Sequence, residues 1–350
     1  MDFSPTDAQQ EIARLAGQLL DDGKADPWKE LARSGLLALA LPADLDGEGL
    51  GVMDTAVLLT EIGRRAVKVP ALATLMTGVL PLARWGNREL QRALLPPAAA
   101  GELILTAGLR EPSDPLPRVP GVIVTGGTVS GIKVGVPYCA EAGHALLTVS
   151  FASPEGPAEG HAGGTGVVII DPAADGAQVT RTWSAAGTPE CTLRLDRAPV
   201  EHVLGGADCL EDLSRLAVAG ACCLADGALA GALELTSNHV AQRRQFGRPL
   251  AAFQAVAGQI ADVYIASRTI HLATLSACWQ LDTGRDAGGD LGVAGYWCAL
   301  EAPRSVRTCH HLHGGTGMDT SYPLHHFSAL ISDLVRFLGG VDYQLERQAC

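Results

Sequence analysis

Paired cysteines and aromatic residues are scarce in this 350-residue sequence. Phe, Trp and Tyr together make up 5% of the chain, and the nine cysteines, an odd number, never form a C-x-x-C motif. Four of them, Cys222, Cys223, Cys278 and Cys298, lie in apolar segments of helical pattern. Such cysteines are typical of small buried side chains in a reducing compartment. We therefore predict neither a disulfide framework nor a zinc site.

Basic charge is also in deficit, because 26 Lys and Arg stand against 38 Asp and Glu and give a net charge of −12. Nucleic-acid binding needs a basic face, so no nucleic-acid partner is predicted. The first residues have neither the basic nor the apolar segment of a secretory signal. The most apolar long stretch, residues 216–235, contains Asp226 and Glu234 and predicts a buried helix rather than a membrane span. We expect a cytoplasmic protein without a membrane partner.

Three segments of different pattern predict three domains. Residues 1–105 carry apolar residues at helical spacing and predict an N-terminal α-helical domain, whose last helix should stop at Pro96 and Pro97. Residues 106–208 hold short β-type segments between Gly and Pro turns, which predict a middle β domain. Residues 209–350 hold long apolar helices, which predict a C-terminal helical bundle.

Five of the ten histidines fall in the stretch HHLHGGTGMDTSYPLHH, residues 310–326. Histidine is a common metal ligand, so a metal centre is one hypothesis for this stretch. It contains no H-E-x-x-H or H-x-x-x-H pattern and no cysteine pair, which are typical of metal sites. We therefore predict no metal site, and the central glycines remain to be explained.

Four motifs in a consistent order resemble those of a known family. QRRQFGRPLAAFQAVAGQIAD (242–262) resembles the R-x-x-F-G and F-Q-x-x-x-x-x-L-A-D signature of acyl-CoA dehydrogenases. HLHGGTGMDTSYPL (311–324) resembles their Q-x-x-G-G-x-G turn, and LPADLDGEGLG followed by TEIGRR resembles their N-terminal glycine turn and next helix. The resemblance implies an acyl-CoA dehydrogenase-like fold with an N-terminal helical domain, a middle β-barrel domain and a C-terminal four-helix bundle.

The same resemblance implies a reaction and a cofactor. In this family a carboxylate removes a proton α to an acyl-CoA thioester, and the β-hydrogen leaves as hydride to FAD. The FAD lies across two subunits, with its adenosine end in the bundle of the neighbour. The residues that the resemblance assigns to the adenosine end are Arg243 (pyrophosphate), Phe246 (adenine), Gln254 (diphosphate or ribose), His311 (in place of the usual Gln), Gly314 and Gly315.

These residues also have simpler interpretations. Arg243 and Arg244 could form a solvated helix end that complements the helix dipole. Gly314 and Gly315 could be an ordinary helix C-cap. The joint spacing of the motifs, and not any single residue, favours the cofactor interpretation.

No catalytic residue is predicted in this chain. The glutamate that most of the family places after the G-G-x-G turn aligns with Leu338, and the alternative position on the first bundle helix aligns with Ala217. Neither side chain can accept a proton. The neighbouring carboxylates Asp333 and Asp226 lie at least a helical turn away from these positions.

The flavin pocket of the middle domain also departs from the family pattern. LREPSDPLP (109–117) retains Glu111 and Pro112 of a T-E-P motif but loses its later glycine. In GIKVGVPYC (131–139), Gly135 stands where the family has Trp, and Pro137 stands where it has a hydroxyl residue. Proline has no N–H to donate. We predict that this chain does not itself hold an isoalloxazine ring.

A site for the adenosine end of FAD in a chain without a catalytic base predicts a subunit that completes the active site of a partner subunit. The pattern resembles the base-deficient subunit of actinobacterial heterotetrameric (α2β2) steroid acyl-CoA dehydrogenases, whose second acyl-CoA dehydrogenase-like subunit carries the glutamate. The resemblance implies a shared FAD, an acyl-CoA substrate of steroid origin, and electron-transfer flavoprotein or a similar acceptor. Two alternatives remain open: a stand-alone enzyme with Asp333 or Asp226 as base, and a flavin-free structural subunit.

Overall fold

The computed structural model describes residues 3–21, 26–45, 47–152 and 164–349. Helices come first along the chain, a group of strands follows, and long helices complete it, so the predicted order of helical, β and helical parts is confirmed. The chain forms two compact units, one built from residues 1–21, 56–67 and 218–350 and the other from residues 22–55 and 68–217. The three domain boundaries proposed from the sequence stay a prediction.

The helices begin and end as follows. The α-helices are α1 (Asp7–Asp21), α2 (Pro27–Arg33), α3 (Val52–Arg64), α4 (Leu80–Trp85), α5 (Arg88–Ala99), α6 (Ala207–Gln242), α7 (Gln254–Asp282), α8 (Gly288–His313), α9 (Leu324–Leu338) and α10 (Gly340–Ala349). A π-helical segment, Leu72–Val79, precedes α4. Asn87 caps α5, because its side-chain oxygen accepts the N–H of Leu90 at 2.9 Å.

The predicted stop at Pro96 and Pro97 is wrong, since α5 continues to Ala99. Each proline lacks the N–H that a helix interior uses, but both can still accept with their carbonyl oxygens. The N–H of Ala100 donates to Pro96 O at 3.0 Å, and the N–H of Glu102 donates to Pro97 O at 3.0 Å. These bonds close the last turn beyond the prolines.

In the described residues, eight strands form one sheet, and two short strands further along the chain form a separate hairpin. The strands of the sheet are β1 (Leu105–Gly108), β2 (Ile123–Thr125), β3 (Thr128–Pro137), β4 (His144–Phe151), β5 (Thr165–Ile170), β6 (Ala177–Trp183), β7 (Pro189–Pro199) and β8 (His202–Gly205). Their order is β6-β7-β3-β2-β4-β5-β8, with β1 parallel to β4. Buried side chains such as Val129, Leu147, Val168 and Leu193 form the core on the sheet.

Helix α6 is long and apolar enough to cross a membrane by length and composition. However, 89% of its most apolar 18-residue window is buried, which is typical of a core helix. A Cβ at Gly227 would overlap the carbonyl oxygen of Thr60, and a Cβ at Gly231 would overlap that of Arg64. These glycines therefore allow α3 and α6 to pack closely, and residues 216–235 form the buried helix that their sequence predicts.

The cysteines behave as the sequence predicts. The eight cysteines in the described part of the chain are buried and unbridged. The Sγ atoms of Cys223 on α6 and Cys278 on α7 lie 3.6 Å apart. Burial raises the pKa of Cys139 and of Cys209 to about 12, so these thiols are protonated at neutral pH.

Candidate functional site

The first predicted site residues lie in the connection between α6 and α7. Directly after α6, β9 (Arg244–Gln245) and β10 (Arg248–Pro249) form a short antiparallel hairpin. Its turn residues Phe246 and Gly247 have φ angles of 52° and 80°, the left-handed pair that a two-residue hairpin turn requires. The turn places Phe246 at the tip, where 90% of the residue is exposed. A bulky residue held at positive φ with its ring in solvent is an unusual feature.

Aromatic and basic side chains accumulate on this hairpin. The Phe246 ring lies edge-on to that of Phe253 with 6.1 Å between centroids, and the Arg248 guanidinium carbon lies 4.0 Å from the Phe253 centroid. Within the described residues the Arg243 guanidinium forms no hydrogen bond or ion pair. Gln254 is exposed and begins α7. An uncompensated cation, an exposed ring and an exposed amide are groups that a dinucleotide can use.

The other predicted residues lie at the end of α8. Gly314 follows its last residue and has φ 57° and ψ −135°, a conformation open almost only to glycine. A Cβ built on Gly314 or on Gly315 would meet nothing within 4 Å, so the backbone of this turn is accessible. His311 is exposed on the last turn of α8.

A stacked pair of histidines joins these two groups of residues. His239 lies one helical turn before Arg243 on α6, and its ring stacks on that of His313 with 4.3 Å between centroids. His313 is adjacent to Gly314, so Arg243 and the glycine turn lie at the same end of the bundle. Burial lowers the pKa of both histidines, and the charge of Arg243 lowers that of His239 further.

The histidine-rich stretch uses its ring nitrogens for backbone contacts. Nδ1 of His310 donates to Gly317 O at 2.9 Å, and Nδ1 of His325 donates to Tyr322 O at 2.8 Å. Among residues 3–21, 26–45, 47–152 and 164–349, no group of three His, Cys, Asp or Glu side chains could hold a metal ion. These contacts give the cluster a structural explanation.

The positions implied for a catalytic base hold buried apolar side chains. Leu338 and Ala217 are each fully buried. Asp226 is 3% exposed and its Oδ2 lies 2.8 Å from Nδ1 of His271. Asp333 forms an ion pair with Arg336 at 3.6 Å. Both alternative carboxylates are therefore engaged by neighbouring side chains.

Glu111, retained from the family's T-E-P motif, forms a buried ion pair in the sheet unit. Its Oε1 accepts from Nζ of Lys133 at 2.7 Å, and its Oε2 accepts from the N–H of Gly121 at 2.7 Å. Lys133 is fully buried and also donates to Oγ1 of Thr148 at 2.9 Å. Burial lowers the pKa of Lys133 to about 8. The retention of Glu111 is thus explained by structure.

The two substituted positions of the flavin edge lie on β3. Gly135 has a φ angle of 60°, next to an irregularity in the β3–β7 register between Lys133 and Val136. A tryptophan would be strained in this conformation. The carbonyl oxygen of Pro137 accepts from Oγ1 of Thr106 at 2.5 Å. The backbone at Gly135 therefore favours glycine over a large side chain such as tryptophan.

Two contact residues of the site, His239 and His310, lie outside the motifs, whereas Phe253 begins the F-Q motif and Tyr322 lies in the segment quoted with the glycine turn. Both His239 and His310 could have been found by spacing. His239 lies in the last turn of α6, and its carbonyl oxygen accepts the N–H of Arg243 at 2.8 Å, four residues further on. His310 precedes Gly314 by four residues and is one turn from the end of α8.

The helix–sheet–helix fold and the open site at the end of the bundle define an acyl-CoA dehydrogenase-type protein. Residues 7–102 match the acyl-CoA dehydrogenase N-terminal domain, and residues 212–342 match the C-terminal domain. The chain is 43% identical over 355 residues to acyl-CoA dehydrogenase FadE28 of Mycobacterium tuberculosis, covering 99% of this chain and 97% of that protein. The chain belongs to the acyl-CoA dehydrogenase family.

Solved structures agree with this assignment. The ChsE4–ChsE5 complex from Mycobacterium tuberculosis superposes with a TM-score of 0.90 at 28% identity, covering 100% of this chain and 98% of that chain. A variant of the Tcur3481–Tcur3483 steroid ACAD superposes with a TM-score of 0.88 at 31% identity, covering 97% of this chain and 96% of that chain. The structure of PigA with FAD and proline superposes with a TM-score of 0.85 at 23% identity, covering 99% of this chain and 97% of that chain. This similarity shows that the two chains share a fold.

Proposed function

We propose that this chain is a subunit of a heteromeric FAD-dependent acyl-CoA dehydrogenase. It contributes the site for the adenosine end of FAD, while a partner subunit supplies the catalytic glutamate and the isoalloxazine pocket. One observation carries the proposal: an open site with Arg243, Phe246 and Gly314 occurs in a chain whose two base positions are the buried Leu338 and Ala217.

The residues present fit the dinucleotide. Arg243 provides a permanent cation with planar donors for the pyrophosphate. Phe246 offers an exposed ring face to the adenine, and Gln254 and His311 offer exposed hydrogen-bonding groups. Gly314 and Gly315 allow a close approach of the backbone. FAD supplies hydride acceptance from the β-carbon, and the carboxylate that removes the α-proton comes from the partner.

The exposed surface of α7 supports the presence of a partner chain. Tyr264, Ile265 and Leu272 are 55%, 61% and 48% exposed on this helix, and Ile265 and Leu272 are seven residues apart, on one face. Exposed apolar residues that share a face are typical of protein–protein contacts. We propose that the partner is a second acyl-CoA dehydrogenase-like subunit and that the pair acts in the cytoplasm.

Similarity to named relatives supports the substrate class. The Tcur3481–Tcur3483 structure is described as a steroid ACAD, and the ChsE4–ChsE5 structure is a complex. We propose a steroid-derived acyl-CoA as substrate, and electron-transfer flavoprotein or a similar protein as electron acceptor.

Reconstitution tests the proposed division of labour. Each chain is purified alone and then mixed, and dehydrogenation of a steroid-CoA is followed with an artificial electron acceptor. We expect turnover only after mixing, because this chain has no base at Leu338 or Ala217. Replacing the partner's glutamate by glutamine should abolish turnover of the mixture. Turnover by this chain alone would overturn the proposal.

Replacing the two alternative carboxylates should not slow the assembled enzyme. We expect Asp226→Asn and Asp333→Asn to keep the rate within about twofold, because both carboxylates are engaged by His271 and Arg336. Thermal unfolding of each variant serves as the control for folding. Loss of a general base typically costs about 10²-fold or more, so a loss of that size in a folded variant would support a stand-alone enzyme.

A further inference from the structure

Three of the five residues of the turn that would carry the dinucleotide, Gly314–Met318, are glycines. Gly314 and Gly315 lack side chains, and the space around both is open. Gly317 is buried, and a Cβ there would press on Cβ of His313. The backbone of the turn forms a 3-10 helix over Gly314–Met318, and the side chains that hold this turn against α8 come from the residues that flank it.

His310 closes the turn back onto α8. Its Nδ1 lies 2.9 Å from the carbonyl oxygen of Gly317, and because a carbonyl can only accept, Nδ1 carries the hydrogen. The bond spans seven residues and encloses Gly314 and Gly315. A half-buried imidazole thus fixes the distance between the helix end and the far side of the turn.

His313 fixes the near side of the turn. It is 4% exposed, and its Nδ1 donates to Cys309 O at 2.8 Å. A neutral ring that donates at Nδ1 accepts at Nε2, and Nε2 lies 3.0 Å from the Tyr322 hydroxyl, which therefore donates. The His239 ring stacks on the His313 ring. His313 thus connects α8, the segment after the turn, and the end of α6, which Arg243 follows directly.

We propose that His310 and His313, braced by Tyr322, are positioning residues of the dinucleotide site, which hold the Gly314–Gly315 backbone in the shape that binds FAD. The inference rests on the proposed function. Neither histidine needs to touch the cofactor, because both act through the backbone of the turn. The stack on His239 couples the glycine turn to the helix end that presents Arg243.

A matched pair of substitutions at His310 tests the inference in the complex with the partner. His310→Leu removes the donor to Gly317 O, whereas His310→Asn places an amide N–H close to the position of Nδ1. We expect His310→Leu to raise the Kd for FAD by about five- to tenfold, the effect of one lost hydrogen bond, and His310→Asn to restore most of the affinity.

Tyr322→Phe tests the second contact, because it removes the hydroxyl and leaves the ring. We expect a smaller rise in the Kd for FAD, of about two- to fivefold. His326 is an exposed histidine on α9. His326→Leu is therefore the matched control and should leave the Kd for FAD unchanged. Apo-complex is titrated with FAD and followed by flavin fluorescence, and thermal unfolding is recorded for every variant.

The outcomes separate the inference from the proposed function. If Arg243→Ala raises the Kd but His310→Leu only lowers the thermal midpoint, the histidines are structural and the inference is wrong. An unchanged Kd in His310→Leu with an unchanged midpoint would also overturn it. If Arg243→Ala itself leaves the Kd unchanged, the proposed function fails first.

Discussion

Lys133→Ala is expected to lower the free energy of unfolding by about 3–5 kcal/mol, the largest effect of any single substitution considered. Lys133 is fully buried, and its Nζ lies 2.7 Å from Oε1 of Glu111. Removal of the ammonium leaves a carboxylate that is 8% exposed without its cation, and it also removes the donor to Thr148. Denaturant titration followed by tryptophan fluorescence measures the change.

A surface lysine provides the control. Lys29 pairs with Asp26 at 3.3 Å, but both side chains are about half exposed or more, so Lys29→Ala should cost no more than about 1 kcal/mol. The double variant Lys133→Met with Glu111→Gln should cost less than the sum of its single variants, because the two charges are removed together. Equal effects of Lys133→Ala and Lys29→Ala would contradict the importance of the buried pair.

The difference in stability between the wild type and the single variant Lys133→Met should depend on pH with a definite sign. Burial lowers the pKa of Lys133 from 10.5 to about 8, so between these pH values the unfolded chain binds more protons at this residue than the folded chain does. The stability of the wild type relative to Lys133→Met should therefore rise as the pH increases from 8 to 10.5. A difference that falls over this range would contradict the shift.

Arg243→Ala is expected to weaken FAD binding by the partner complex by about 10- to 100-fold, which corresponds to about 1.5–3 kcal/mol for charge-assisted hydrogen bonds. Within the described residues the Arg243 guanidinium forms no hydrogen bond or ion pair, and its backbone bonds to His239 and Leu250 are kept in the variant, so stability should stay nearly unchanged. Titration of the apo-complex with FAD measures the Kd.

Two further variants sharpen this prediction. Arg243→Lys keeps the charge but loses the planar pair of donors, so we expect an intermediate Kd. Arg92→Ala removes an exposed arginine of α5 with a similar change in net charge and should leave the Kd unaltered. If Arg92→Ala weakens binding as much as Arg243→Ala does, the effect is one of overall charge and not of a site.

The order of helical and strand segments along the chain could be predicted from the sequence for a clear physical reason. Apolar residues recur with different periods in helices and in strands, so the two kinds of segment can be distinguished in the sequence. The glycine motifs mark turns whose backbone conformation favours glycine. The buried helix at residues 216–235 and the apolar side chains at Leu338 and Ala217 follow from residue identity alone. These features need no knowledge of distant contacts.

Other features depended on contacts that the sequence does not express. The end of α5 was misplaced because the carbonyl oxygens of Pro96 and Pro97 still accept bonds from the next turn. The role of Glu111 became clear only through Lys133, 22 residues away in the chain. The contacts of His310 to Gly317 O and of His313 to Tyr322 require the folded turn and have no counterpart in the spacing of the sequence.

The most direct test of the shared flavin site is the FAD content of this chain alone and in complex with its partner. The chain and the complex are each incubated with excess FAD and passed through gel filtration, and the flavin retained per mole of protein is measured by absorbance. We expect little flavin on the isolated chain and near-stoichiometric flavin per pair in the complex, lost again when Arg243→Ala is present. Full flavin occupancy of the isolated chain, together with turnover of an acyl-CoA, would contradict the shared site.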